Sequence, residues 1–198
     1  MTNELAAFLV RAEALLARVE AMLPAAPAAP DWSAHAYRWR RRNGGGRLEA
    51  VRHPHRIRLA DLQGIDEQKA RIERNTRQFV EGRSANNVLL TGARGTGKSS
   101  LIKGVLAKYG AKGLRLIEVD KGDLVDLPDI VDLIATRPER FIVFCDDLSF
   151  EASEPGYKAL KSILDGSIAG TADNVLIYAT SNRRHLMPEY MAENLETS

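Results

Sequence analysis

Between Val88 and Ser100 the chain reads VLLTGARGTGKSS, an apolar run followed by a glycine-rich turn and the opening of a helix. Gly92, the four residues Ala93, Arg94, Gly95 and Thr96, and then Gly97, Lys98 and Ser99 have the P-loop spacing, in which successive backbone N–H groups curl around phosphate oxygens. The following helix adds the positive end of its dipole. Gly92, Gly95 and Gly97 are needed because a side chain would block the approach or forbid a positive φ. Lys98 supplies a mobile cation for the β and γ phosphates, the Ser99 hydroxyl can complete the coordination of Mg²⁺, and Ser100 extends the cradle into the helix. The context fits: Asn87 to Thr91 has the composition of a buried strand, and Leu101, Ile102, Val105 and Leu106 form one helical face that stops at Gly110.

A chain of 198 residues with 44% hydrophobic content can bury one substantial core and a small appendage. Its formal net charge of +2 argues against a purely electrostatic binder. One cysteine, Cys145, excludes an internal disulfide framework and fits a reducing compartment. No apolar run is long enough to span a bilayer and no cationic leader precedes Glu4, so the expected location is cytoplasmic, without a membrane partner.

Four segments follow from the pattern: an amphipathic helix over 1–23, a Pro/Ala linker over 24–30, a basic aromatic segment over 31–60 and an α/β core over 61–198. In the first, Leu5, Phe8, Ala12, Leu15, Val19 and Met22 alternate steps of three and four, and Leu9, Leu16 and Leu23 widen the stripe. Such a stripe can pair with a second copy or pack on the body of its own chain. PAAPAAP, Pro24 to Pro30, ends the helix and favours an extended linker of roughly 20 Å. In the third segment Arg38, Arg40, Arg41, Arg42, Arg47, Arg52, Arg56 and Arg58 stand against Asp31 and Glu49, with Trp32, Tyr37 and Trp39 interleaved. Arginines among aromatics are a candidate nucleic-acid surface. The favoured reading is a short β-rich collar whose aromatics are core and whose arginines pair with acidic groups elsewhere. His53 and His55 flank a proline with no ligand cluster nearby and make a poor metal site.

From Asp61 onward, strands alternate with helices. Asp66 is placed to cap a helix running to Glu81; beyond the P-loop unit, strands are expected at Leu114–Val119, Phe141–Cys145 and Val175–Ala179, and helices at Leu127–Ala135 and Ser153–Leu164. Strands apolar on both faces mean a parallel sheet covered on both sides, so the fold class is α/β with a parallel-sheet P-loop NTPase core.

FIVFCDD, Phe141 to Asp147, ends a strand in two carboxylates one strand and a crossover beyond the P-loop. Asp146 is suited to hold Mg²⁺ through its water shell, and Asp147 to orient or deprotonate an attacking water, with Glu151 as the competing base. YATSN, Tyr178 to Asn182, ends the next strand at the same crevice, where Asn182 can bond a γ-phosphate and the water.

Together these residues resemble the AAA+ ATPases: GARGTGKS as Walker A, FIVFCDD as Walker B and ATSN as sensor 1. ADLQGIDEQKARI resembles the segment that covers the adenine, through Gly64 and Ile65. DWSAHAYRWRRR, CDDLSFE and SNRRHLMPEYM are similar to a bacterial AAA+ family of the DUF815 type, which has no established substrate to carry over. The resemblance implies ATP or ADP and Mg²⁺ as ligands, hydrolysis coupled to remodelling of a protein or nucleic-acid partner, and a homo-oligomer when full length; the alternative is a nucleotide switch or DNA-docking module with little turnover. Two departures stand out. The usual Asp-Glu is here Asp146-Asp147, one methylene shorter at the base. The arginine finger, fifth strand and sensor 2 lid of that family are not visible before Ser198, and Arg183 and Arg184 come too early for the finger. The chain therefore reads as a partial core lacking its last strand and lid, with the P-loop strand expected at a sheet edge.

Overall fold

The computed structural model describes residues 2–22, 29–42, 45–54, 57–149, 154–164 and 172–182. Its centre is a six-stranded sheet built from β1 (Ala36–Arg42), β2 (Gly45–Ala50), β3 (Val88–Thr91), β4 (Leu114–Glu118), β5 (Arg140–Cys145) and β6 (Val175–Ser181), in the order β2-β1-β4-β5-β6-β3. Among the described residues only the β1–β2 pair is antiparallel; β1–β4, β4–β5, β5–β6 and β6–β3 are all parallel. Among the described residues β3, the strand that feeds the glycine loop, lies at one edge, as expected from the sequence.

β5 shows why the sheet is covered on both sides. In Arg140–Cys145 the alternation of a strand sends Phe141, Val143 and Cys145 to one face and Ile142 and Phe144 to the other, and all five are fully buried. The first face packs on α4 (Leu127–Ile134) and α5 (Pro155–Leu164) through Leu127, Ile130, Ile134 and Leu160. The second packs on α2 (Asp66–Val80) and α3 (Lys98–Tyr109) through Ile72, Phe79, Leu101, Ile102, Val105, Leu106 and Tyr109. In α3, Gly104 admits the Leu59 side chain: a Cβ there would lie 2.7 Å from Leu59 Cδ2. Asp66 is not the cap of α2 but its first residue. Ile65 holds the cap position without a side-chain bond, and Asp66 instead favours the positive helix end and pairs with Lys69 at 2.6 Å.

The basic segment is continuous with this sheet. Tyr37 is fully buried and its hydroxyl donates to the carbonyls of Asp31 and Ala34, each at 2.9 Å. Trp39 is 4% exposed and its indole N–H donates to Asp126 Oδ2 at 3.0 Å. Arg38 pairs with Glu118 at 2.8 Å, Arg40 with Asp120 at 3.4 Å, Arg41 with Asp126 at 3.5 Å, Arg47 with Glu49, and Arg58 with Asp61 at 2.9 Å. This is the collar expected on the favoured reading: burial leaves Tyr37 and Trp39 no face on which a base could stack.

α1 (Thr2–Met22) forms where the periodicity places it. The side chains of Leu5, Phe8, Leu9, Val10, Leu15, Leu16 and Val19 are each more than half exposed, so the stripe is not packed on the body of its own chain. No helix among the described residues is long and apolar enough to cross a membrane.

Candidate functional site

The glycine loop joins the end of β3 to the start of α3. Gly92, Gly95 and Gly97 have φ of 145°, 85° and 86°, all in the region that favours glycine, and Gly97 is the N-cap of α3. The loop is closed by the Thr96 hydroxyl donating to the Ala93 carbonyl at 2.9 Å. With no side-chain cap on α3, its first N–H groups are available to an anion.

The expected partners converge on this loop. Lys98 Nζ donates to the carbonyls of Gly92 and Ala93 at 2.7 Å each and to Asn182 Oδ1 at 3.0 Å. Ser99 Oγ donates to Asp146 Oδ1 at 2.7 Å. The amide of Asn182 donates to Asp147 Oδ1. A cleft of about 290 Å³ is lined by Arg94, Gly95, Gly97, Lys98, Ser99, Ser100, Asp146, Asp147, Thr180 and Asn182. Wider hollows of about 510 and 940 Å³ lie away from the glycine loop and gather no comparable set of groups.

Of the adenine-side pair, Gly64 has φ 73° and Ile65 lies against the loop, its Cδ1 3.4 Å from where a Cβ on Gly97 would be. Neither lines the cleft. Glu151, Arg183 and Arg184 lie outside the described residues.

The donor set fits Mg²⁺ bound together with phosphate. That hard cation takes one hydroxyl and one or two carboxylates, with waters and phosphate oxygens filling the rest. Ser99 and Asp146 touch each other at 2.7 Å and supply such a hydroxyl and carboxylate. Among the described residues no cluster of three or more His, Cys, Asp or Glu could hold a metal by protein ligands alone.

Two features escape a reading by motif. Asp147 has φ 54°, in the left-handed region, and is the only non-glycine residue so placed among those described. Beneath it, β6 runs two residues further than its apolar stretch and includes Thr180 and Ser181, 1% and 0% exposed. The Thr180 hydroxyl accepts the Asp147 N–H at 2.8 Å and donates to Asp146 Oδ1. The Ser181 hydroxyl donates to the Leu148 carbonyl at 2.6 Å. The available signal was two hydroxyl residues immediately before Asn182.

Beside this polar group, Cys145 is fully buried, and desolvation pushes its thiol up to about 12. It is a core residue.

The family described as "Protein of unknown function (DUF815)" matches residues 32–198. No curated protein matches. Among solved structures, that of C. elegans PCH-2 is 22% identical with a TM-score of 0.45, over 65% of this chain and 38% of that one. The crystal structure of a DNA replication initiation factor is 15% identical with a TM-score of 0.47, over 71% of this chain and 47% of that one. The chain thus spans less than half the length of either.

Proposed function

This chain belongs to the DUF815 family, and on that premise we propose that it is the ATP-binding core of an AAA+ ATPase that hydrolyses ATP with Mg²⁺. The observation that carries the reading is convergence. Lys98 and Ser99 open α3, Asp146 and Asp147 follow β5, Asn182 follows β6, and all five meet at the N-terminus of α3.

Each group has work suited to its chemistry. The glycine loop N–H groups and the α3 dipole hold phosphate oxygens, and Ile65 beside Gly97 offers an apolar contact toward the base. Lys98, held by two carbonyls and an amide oxygen, can turn its ammonium to the β and γ phosphates when those neutral acceptors give way to anions. Ser99 and Asp146 would hold Mg²⁺, which when bound neutralises charge developing on the β and γ oxygens. Asp147 accepts a proton from the attacking water, and Asn182, already hydrogen-bonded to Asp147 and to Lys98, holds that water between base and phosphate. We assign the base role to Asp147, which lines the cleft.

Remodelling of a protein or nucleic-acid partner, assembly into a homo-oligomer and action in the cytoplasm extend the same reading. The arginine pairs and buried aromatics of β1 favour an ATPase over the DNA-docking alternative. Calorimetric titration with ATP and measurement of phosphate release test the core claim. Micromolar ATP binding with Mg²⁺-dependent release supports it; no nucleotide binding by the folded protein sinks it.

A further inference from the structure

Resting on the reading of this cleft as a hydrolytic site, we propose that Thr180 is a positioning residue that sets both carboxylates at once. The strand β5 ends at Cys145, and the chain turns through the left-handed Asp147 before Leu148 N–H returns to β6, donating to the Thr180 carbonyl at 2.7 Å. Such a kink needs something to hold it, because a non-glycine residue with positive φ is an uphill conformation. Thr180 supplies the hold. Its hydroxyl accepts the Asp147 N–H at 2.8 Å, its carbonyl takes the next N–H, and its own proton goes to Asp146 Oδ1.

The same Asp146 oxygen accepts the Ser99 hydroxyl at 2.7 Å, so one carboxylate oxygen is fixed between the glycine-loop helix and β6. Thr180 is 1% exposed, and although it contributes to the cleft wall its hydroxyl is taken up by Asp146 and Asp147. Replacing it by valine keeps its shape but leaves the Asp147 N–H without its acceptor and Asp146 without one donor. Replacing it by serine keeps the hydroxyl and loses only a methyl.

The test compares Thr180→Val and Thr180→Ser with the unmodified chain, with Thr180→Ala as a second hydroxyl-deleting variant should the valine protein not fold. The first readout needs no nucleotide: hydrogen exchange at the Asp147 amide, followed by NMR. The second is turnover across a Mg²⁺ series. The valine variant is expected to exchange that amide about tenfold faster or more and to lower kcat about tenfold, the equivalent of one hydrogen bond to a charged group, with KM for ATP little changed. Half-maximal turnover should need several times more Mg²⁺, and serine should restore all three quantities. Unchanged amide exchange in the valine variant overturns the proposal whatever turnover does, and so does a serine variant as impaired as valine. If the unmodified protein binds ATP without turning it over, the hydrolytic reading fails instead. Amide exchange alone then decides the role of Thr180, faster exchange supporting it and unchanged exchange overturning it.

Discussion

Lys98 Nζ donates to Asn182 Oδ1 at 3.0 Å, joining two residues 84 positions apart in the chain. The contact brings a cation from the glycine loop and an amide from the end of β6 to the same side of the cleft, where a phosphate oxygen would compete for both. Replacing Lys98 with alanine should weaken ATP binding at least about 100-fold, or roughly 3 kcal/mol, the range of a strong charge-assisted contact to phosphate. Calorimetric titration checks it, and unchanged affinity would remove the cradle assignment.

Asp147→Asn keeps the size of the side chain and one accepting oxygen but removes its basicity. ATP affinity should stay within about threefold while kcat falls on the order of 100-fold or more, the scale of a lost general base. Single-turnover phosphate release separates the two quantities. A variant that turns over at the original rate would shift the base role away from Asp147.

Trp39 and Asp126 test whether the basic segment is part of the fold. Trp39→Phe deletes the buried N–H that reaches Asp126 at 3.0 Å and leaves that carboxylate with Arg41 at 3.5 Å. The expected loss is about 2 kcal/mol, read as a lower urea midpoint at constant slope. No change in midpoint would make the collar a passive attachment.

On the opposite face the Tyr178 hydroxyl is bonded to Thr76 Oγ1 at 2.8 Å and accepts from Asn75 Nδ2 at 3.0 Å, tying α2 to β6. A double-mutant cycle of Tyr178→Phe and Thr76→Val should give a coupling of about 1 kcal/mol. Strict additivity would mean that the two hydroxyls do not interact in solution.

Burial raises the Cys145 thiol from an ordinary value near 9.0 to about 12, so the unfolded chain ionises first as pH rises. The associated stability is complete below about pH 9 and is lost progressively toward pH 12, at up to about 1.4 kcal/mol per pH unit. Urea melts between pH 8 and 10.5 should show a steeper decline for the native chain than for Cys145→Ala. Equal slopes would contradict it. Native protein at pH 8 should also resist alkylation that proceeds readily once it is unfolded.

The parts legible from sequence were those written locally. The glycine turn between β3 and α3 needs only consecutive residues, and β5 declares itself by an unbroken apolar run, so the bounds of these strands are near those expected. What depends on distant pairing was harder to see. That Arg38 meets Glu118, 80 residues on, is decided by the parallel register of β1 against β4, and that Trp39 meets Asp126, 87 residues on, by the turn that follows β4; neither leaves a local trace. Thr180 was missed because a hydroxyl near a strand end resembles turn chemistry until the register of β5 and β6 shows it buried beneath Asp147. Asp66 was misplaced by one residue because its carboxylate suits the first turn as well as the cap.

The end of β6 has a consequence for how this chain tolerates change. Ser181 O accepts the Gly92 N–H at 3.2 Å, Thr180 anchors Asp146 and Asp147, and Asn182 follows at once. Three separately encoded stretches are thus indexed to three consecutive residues. Deleting one residue inside Val175–Ala179 would turn Thr180 to the opposite side of the sheet and withdraw Asn182 by about 3.3 Å. Changes of length should therefore be forbidden within this strand, which a deletion scan read by ATP binding would reveal.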